Sequence, residues 1–444
     1  MGNLKNRAEA LLGGLPTPAG WGAEVLLEKE ESRALSWAEG KPKECLRGTT
    51  VRATVRALGR GRQGVARGVD TTPRGVRRLW ERAVTAARAM PADGARVLPQ
   101  PSPTSYTPDP EDRTLFQAPS RDHWAALGRI ENDLCRRDAR VRKALRLTFE
   151  ETRGERAVIN SRGIAVADAG TEVSFGAEVL GESRGDSESV WGGASARSWA
   201  GLRLDPVIDD LLERLGAALG GRPLTSGRWP VVFAPRVGVE FLALLAQAVS
   251  AEAVQRGRSY VNRSMGKSVA APLVTVVDDG RRPGGLATAG WDDEGHPTQR
   301  TPVIVDGRLR AFLHSTETAC RGRTVSTGNA TRAGGTPTPG PTNFHMEAGA
   351  LPRADLLKSA GRAFWVWDVI GMHTADAASG DFSVGAAGAW LEGGRVRRGV
   401  RGVTLAGNLK DVLGGVVAVA DDLAWLGSFG APTFLVKGLT LGGS

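Results

Sequence analysis

Alternation of apolar and polar residues predicts the first strands of the chain. The apolar positions of one strand are Val51, Ala53, Val55 and Ala57. Arginine or threonine stands at each position between them, so the two kinds of residue would face opposite sides of a sheet. A glycine-rich turn at 59–64 then leads to a second short strand near 65–69. The pattern indicates a β-meander.

Helical spacing of apolar residues predicts helices that pack beside this meander. Thr72 would cap the first helix and Pro73 would occupy its first turn. Its apolar positions are Val76, Leu79, Ala83, Ala86 and Met90, and those of a second helix are Trp124, Leu127, Ile130 and Leu134. The proline-rich segment 99–112 between the two helices is predicted to be a linker.

A longer meander is predicted over residues 141–200, with strands near 143–151, 155–160, 172–181 and 188–199. The segment Asn160–Gly163 has the composition of a turn. A helix should then begin at Asp205-Pro206 and end before Gly220-Gly221. The segment 220–230 is rich in glycine and proline, and we interpret it as a domain boundary.

The second half of the chain opens with a predicted strand at 231–234 and a helix at about 236–253. Asp306-Gly307 stands between two β-like runs, which is a strong signal for a two-residue hairpin turn. Further strands are predicted near 363–370 and 383–391, a helix at Asn408–Val419, and a closing strand after Ala431. We therefore expect a two-domain α+β fold of antiparallel meanders and hairpins with packed helices, divided into 1–225 and 226–444.

Composition and charge narrow the class of protein. The chain has 444 residues and a net charge of +10, from 58 basic and 48 acidic residues. The basic residues are scattered rather than clustered with aromatic residues, which argues against nucleic-acid binding. No apolar run reaches the length that crosses a bilayer, so we expect no membrane partner. Three widely spaced cysteines, Cys45, Cys135 and Cys320, indicate neither disulfides nor a thiolate zinc site and favour a cytoplasmic protein.

Two glycine motifs are interpreted as turns, and a third is rejected as a phosphate-binding loop. Gly59-x-Gly61-x-x-Gly64 resembles a dinucleotide fingerprint, but a strand rather than a helix should follow it. The Gly181-x-Ser183-x-Gly185 segment resembles a nucleophile elbow and also lacks the following helix. The Gly266-Lys267-Ser268 segment lacks the first glycine of a phosphate-binding loop. A metal-independent hydrolase using Ser183 or Ser383 is the weakest hypothesis, because neither serine has assignable histidine and carboxylate partners.

Polar residues cluster between Val274 and Arg332. Asp292, Asp293 and Glu294 stand beside His296. This group could either hold a hard cation or simply form a charged hairpin end, and the second interpretation is favoured. Residues 327–329 form a small polar loop whose backbone could approach a ligand closely.

The order of these motifs resembles the TldD/PmbA family, the metallopeptidase-related proteins also called modulators of DNA gyrase. The matching segments are Asn160–Gly163, Ser226-Gly227, Val277–Gly280, Asp292–Thr301, Asp306-Gly307, Ser326–Asn329, Gly380–Gly385 and Gly438–Gly443. The resemblance is dense over 226–443 and looser over 20–225.

The resemblance also shows what this chain lacks. One branch of the family carries an H-E-x-x-x-H helix and a later cysteine that bind zinc, with the glutamate placed to activate water. In this chain Leu242 and Gln247 stand where the histidines would fall, and Ala243 stands where the glutamate would fall. The cysteine-bearing loop near the C-terminus is also missing. The chain therefore resembles the metal-free PmbA/TldE branch, and no metal or cofactor is expected in it.

The resemblance implies a role beside a zinc-bearing TldD-like subunit, in a complex that cleaves flexible peptides or leader segments. Extended peptides are the expected substrates, because a free strand edge can accept one as an added strand. The residues expected to line the substrate cavity are Asp292, Asp293, Glu294, Thr327 and Asn329. The alternative hypothesis is a peptide-binding or interaction protein, similar to a gyrase modulator, with no part in proteolysis.

Overall fold

The fold was analysed in a computed structural model that describes residues 2–104, 106–108, 111–332 and 335–443. Ser105, Asp109 and Pro110 of the predicted linker therefore lie outside the described residues. The helices are α1 (Gly2–Gly13), α2 (Pro73–Ala89), α3 (Ser120–Arg137), α4 (Asp205–Ala218), α5 (Pro235–Ala248), α6 (Ala251–Gln255), α7 (Thr316–Gly322), α8 (Arg353–Ser359) and α9 (Leu409–Gly414), with a 3₁₀ turn at Met372–Thr374. None of these helices combines the length and apolar character needed to cross a bilayer.

Six long strands form the N-terminal sheet. They are β1 (Trp21–Ala38), β2 (Lys41–Gly59), β3 (Arg62–Gly68), β4 (Val141–Asn160), β5 (Ala165–Ser183) and β6 (Asp186–Ala196). All neighbours are antiparallel, in the order β3-β2-β1-β4-β5-β6. On one face, α1 and α2 bury apolar side chains at the β1–β3 end, and α3 and α4 do so at the β4–β6 end. The opposite face is turned toward the C-terminal half, and we call it the inner face.

The C-terminal half contains two larger sheets. Its strands are β7 (Gly227–Phe233), β8 (Val276–Asp279), β9 (Arg300–Val305), β10 (Arg308–Leu309), β11 (Ala330–Thr331), β12 (Thr338–Pro339), β13 (Phe344–Met346), β14 (Arg362–Ile370), β15 (Asp381–Glu392), β16 (Arg395–Asn408), β17 (Val416–Val419), β18 (Ala424–Leu426), β19 (Phe429–Ala431) and β20 (Phe434–Gly442). One sheet has the order β16-β15-β14-β7-β20-β17, and β16 also pairs with β20. That additional pairing closes five strands into a ring.

The second of these sheets has the order β10-β9-β8-β13-β19-β18, and β11 pairs with β12 as a separate ribbon. Apolar residues of the closed ring, of α5 and of this sheet belong to one continuous core. Helix α5 therefore lies between the two sheets, which explains why it is apolar on most of its surface.

Most predicted elements are confirmed, and the α+β class is confirmed with them. Thr72 caps α2 by accepting a hydrogen bond from the amide of Gly75. The Asp306-Gly307 turn has positive φ at both residues and joins β9 to β10, as the sequence predicted. The Gly59–Gly64 and Gly181–Gly185 segments belong to the β2–β3 and β5–β6 hairpins, so the turn interpretation of both is also confirmed.

Three predictions of extent were wrong. The strands predicted at 143–151 and 155–160 are one strand, β4, because its neighbour β1 pairs with it without a break. The helix predicted at Asn408–Val419 ends at Gly414, and the next residues form β17 against β20. The helix predicted at 236–253 is divided into α5 and α6.

Candidate functional site

Helix α5 carries the positions at which the family resemblance would place a zinc motif. Pro235 occupies its first turn, where no backbone donor is required. Phe241 packs against Phe233 and Phe382 with ring centroids 5.0 Å apart in both pairs. Leu242 is 1% exposed and belongs to the continuous core. Position 242, the first of the three motif positions, is therefore occupied by an apolar side chain packed in the core.

The other two positions, Ala243 and Gln247, face a groove of about 500 Å³. Phe429 and Pro341 are among its other apolar lining residues. The Gln247 amide is the one polar side chain among the three positions, and it donates to the carbonyl of Ala243 at 3.5 Å. Zinc sites in proteins use cysteine, histidine and carboxylate ligands, so these residues do not fit the metal. Within the described ranges, no group of three or more His, Cys, Asp or Glu side chains could hold a metal ion.

Asp292 organises the turn of residues 291–297, which a bridge between Trp291 and Pro297 closes and which we call the acidic hairpin. One of its carboxylate oxygens accepts hydrogen bonds from the amides of Glu294 and His296, both at 2.9 Å. The other accepts from the amide of Ala330 at 3.0 Å, which ties the hairpin to β11. Burial raises the pKa of Asp292 to about 7, and the negative charge of Glu294 adds to the rise. The side chain acts here as an internal brace of the hairpin.

Glu294 belongs to a buried charged quartet with Glu24, Arg56 and Arg332. Arg56 donates to both oxygens of Glu24, at 3.0 and 2.9 Å, and to Glu294 at 2.8 Å. Arg332 donates to Glu24, and the second oxygen of Glu294 accepts from the amide of Thr316 at 2.8 Å. All four charged side chains are at most 5% exposed, and their charges balance. The quartet joins the β1–β2 end of the inner face to the C-terminal half, and we call this contact the clamp.

A polar cavity of about 450 Å³ lies beside the clamp, over the middle of the inner face. Three of the predicted cavity residues, Asp292, Asp293 and Asn329, line it. Asp293 pairs with Arg156 at 2.5 Å. The Asn329 amide donates to Asp278 at 2.6 Å. Burial raises the pKa of the Asp278 carboxyl to about 6.

The two remaining predicted residues, Glu294 and Thr327, are not among those lining this cavity. Glu294 is held in the clamp, and the Thr327 hydroxyl accepts from the amide of His314 at 2.7 Å. His296 lies 3.1 Å from the hydroxyl of Thr316, and burial lowers its pKa. The acidic hairpin is thus packed inside the molecule, whereas the sequence favoured a charged hairpin end.

The sequence analysis missed a larger cavity of about 1180 Å³ at the opposite end of the inner face. Four tryptophans line it, Trp191, Trp365, Trp367 and Trp425, and we call it the aromatic cavity. It lies between β5 and β6 on one side and β14 and β18 on the other. Two signals were present in the sequence, the Trp365-x-Trp367 spacing on a strand and the paired glycines that follow Trp191.

The comparisons with known proteins cover nearly the whole chain. Models of the PmbA/TldA metallopeptidase match residues 23–87 (domain 1), 109–219 (central domain) and 226–443 (C-terminal domain). The metalloprotease PmbA of Escherichia coli O157:H7 is 27% identical over 90% of this chain and 88% of its own length. A PmbA homologue of Haemophilus influenzae is 24% identical over 97% and 94%.

Solved structures support the same fold. A Thermotoga maritima protein described as a modulator of a DNA gyrase has a TM-score of 0.89 at 22% identity, over 99% of this chain and 100% of its own. TldE from Thermococcus kodakarensis has a TM-score of 0.88 at 20% identity, over 99% of each chain.

Proposed function

This chain belongs to the PmbA/TldD metallopeptidase family, and we propose that it is the metal-free, TldE-like subunit of a peptidase complex. Its partner would be a TldD-like subunit that supplies zinc, and its substrates would be flexible peptides or leader segments. The observation that carries this proposal is the chemistry of α5. Leu242, Ala243 and Gln247 together offer one amide where a zinc site needs histidine and carboxylate ligands.

The packing of α5 supports the proposal beyond the identity of its residues. A histidine at position 242 would place a polar ring among fully buried apolar side chains, where unpaired polar groups are costly. Gaining a metal site here would require a repacked core in addition to new ligands. This helix therefore acts as a structural element, and the hydrolytic water would be activated in the partner.

The role left to this chain is to shape the space in which a peptide is held. The polar cavity is lined by Asp293, whose carboxylate is held by Arg156, and by the backbone around Gly328 and Asn329. The clamp keeps the acidic hairpin, which carries Asp293, fixed against the N-terminal sheet. A preorganised wall of this kind lowers the entropy cost of holding a flexible substrate.

Co-expression with an H-E-x-x-x-H relative from the same genome tests the proposal. We expect a stable complex that cleaves an unfolded reporter peptide and contains zinc, whereas this chain alone contains no stoichiometric zinc and cleaves nothing. Replacing both motif histidines of the relative is the matched control and should abolish cleavage without dissolving the complex. Stoichiometric zinc or peptidase activity in this chain alone would contradict the proposal.

Two variants test whether the polar cavity takes part. Asp293→Ala and Asn329→Ala should each lower cleavage by the complex, and Asp355→Ala, on the exposed first turn of α8, should leave it unchanged. Complex formation is measured for each variant, so that lost assembly is separated from lost cleavage. Unchanged cleavage in both cavity variants would remove these residues from the site. A complex that forms but never cleaves would instead favour a non-proteolytic interaction protein.

A further inference from the structure

The aromatic cavity contains the outer edge of strand β6, and side chains already bind part of that edge. Strand β6 is the last strand of the N-terminal sheet, and β5 is its one neighbour in the described residues. The carbonyl of Trp191 accepts from Arg214 at 2.7 Å and from Arg236 at 3.2 Å, so it points away from β5. Backbone direction alternates along a strand, and the β5–β6 register has no bulge. By this alternation we expect the backbone groups of Gly193 and Ser195 to point outward as well.

The floor beside this edge has very short side chains. Thr148, Gly176 and Gly193 form one row across β4, β5 and β6. Both glycines line the cavity, and Gly193 is exposed. Without side chains in two of the three positions, another backbone could approach the sheet closely. The geometry suits an extended chain better than a compact ligand.

Tryptophan side chains stand on both sides of the cavity, Trp191 on β6 beside the floor and the others opposite it. Trp191 is 63% exposed, and the guanidinium of Arg236 lies 4.9 Å from its ring centroid. Trp365 and Trp367 pack edge to face at 4.9 Å on the opposite side. An exposed tryptophan in a concave site is typical of a binding surface, because it gains most from removal of its ring from water.

Several charged side chains at the cavity form ion pairs with one another, and those that line it include five arginines and six carboxylates. Arg214 pairs with Asp210 at 2.9 Å and with Asp368 at 3.0 Å. Arg236 lies 3.4 Å from Asp368. Arg353 lies 3.7 Å from Asp422. The lining therefore presents no strong excess of either charge, which favours a neutral, apolar ligand over a polyanion.

We propose that the aromatic cavity binds an extended peptide segment as an added strand on β6, with an aromatic or aliphatic side chain against the tryptophans. The outward backbone groups of Gly193 and Ser195 would pair with the peptide backbone. The β18–β19 turn links this cavity to the α5 groove, because Leu426 and Gly427 line the first and Phe429 lines the second. This inference extends the proposed function by giving this chain a peptide subsite of its own.

The test uses the full chain without any partner. The probe is a blocked heptapeptide with one central phenylalanine among serines and glycines, titrated into the protein by calorimetry up to millimolar concentration. The same peptide with N-methylated backbone amides is the control for strand pairing. We expect binding of the first peptide, loss of binding of the second, and slower hydrogen exchange at the amides of Gly193 and Ser195.

Side-chain variants locate the site. Trp191→Ala should weaken binding about tenfold, because it removes one large aromatic contact. Leu46→Ala is the matched control, since Leu46 is 64% exposed on β2 of the same sheet and lies outside the cavity. Its affinity should stay within about twofold of the parent chain.

Several outcomes would overturn the inference. They are no binding at millimolar peptide, equal binding of the N-methylated peptide, equal affinity in Trp191→Ala, or exchange protection away from β6. If Trp191→Ala prevented copurification with a zinc-bearing subunit but left peptide binding unchanged, the cavity would belong to the partner interface instead. None of these results would affect the proposed function, which depends on α5 and is tested by zinc content and cleavage.

Discussion

The inner face of the N-terminal sheet meets the C-terminal half in two very different ways. At the β1–β2 end, the clamp buries two arginines and two glutamates in direct contact. At the β4–β6 end, glycines and tryptophans leave a cavity of about 1180 Å³. The N-terminal sheet and the C-terminal half thus form a closed contact at one end of the sheet and an open cavity at the other.

The end of the sheet with the recognisable sequence motif is therefore not the end with the larger cavity. The acidic hairpin contains the most recognisable sequence motif of the chain. Its carboxylates are already bound by hydrogen bonds and ion pairs within the protein. The β4–β6 end has no recognisable chemical motif, yet it exposes aromatic surface and a strand edge. We infer that the clamp fixes the position of the two halves relative to each other and that the aromatic cavity remains accessible to a peptide.

The largest expected effect is the removal of one charge from the clamp. Glu294→Ala would leave Arg56 and Arg332 buried with Glu24 as their one carboxylate in the quartet. Breaking a buried pair in this way costs about 3–5 kcal/mol of unfolding free energy, measured by urea denaturation. Glu347→Ala, which removes the exposed partner of Arg300, should cost less than about 1 kcal/mol. Similar losses in the two variants would show that the clamp is not a sealed contact.

The next prediction concerns α5, which lies between the two sheets of the C-terminal half. It tests whether the core side of this helix is closed to solvent. Leu242→Ala should lower the unfolding free energy by about 3 kcal/mol, because it leaves a cavity in the core. Gln247→Ala, at an exposed position on the same helix, should change it by less than about 0.5 kcal/mol. A small effect of Leu242→Ala would mean that the position is open and would weaken the structural role of α5.

The hairpin beside the clamp should make stability depend on pH. Burial raises the pKa of Asp292 from 3.8 to about 7, so the folded protein holds its proton more tightly than the unfolded chain does. The stabilisation from this group is present at low pH and is lost as the pH rises from about 4 to 7. Between pH 5 and 7, the parent chain should lose about 2 kcal/mol more than Asp292→Asn, which cannot titrate. Equal pH slopes in denaturant titrations would contradict this.

The smallest expected effect on stability is at the aromatic cavity, at the β4–β6 end of the sheet. Trp191→Ala should lower the unfolding free energy by at most about 1 kcal/mol, because most of the side chain is already in contact with water. Thermal and urea unfolding measure this directly. A loss as large as that of Glu294→Ala would show that Trp191 is a packing residue, and the two ends would then not differ in kind.

Local patterns predicted much of the fold because their causes are local. Thr72 caps α2, and Asp306-Gly307 turns between β9 and β10, for reasons contained in a few neighbouring residues. Strand β1 was not predicted, because residues 21–38 are rich in leucine, glutamate and alanine, which favour a helix. Its pairing with both β2 and β4 overrides that preference. Likewise, β17 depends on β20, which lies 15 or more residues away in the chain.

The candidate site also has features that the sequence determined and features that only tertiary contacts determined. The sequence alone determined that residues 242, 243 and 247 carry no metal ligands, because ligand chemistry is a property of residue type. It also determined the polar character of residues 292–294. Only the tertiary structure decided that Glu294 pairs with Arg56, 238 positions away in the chain, and that Trp191 and Trp365 line the same cavity. Burial and pairing depend on contacts between distant segments, and no local pattern encodes those contacts.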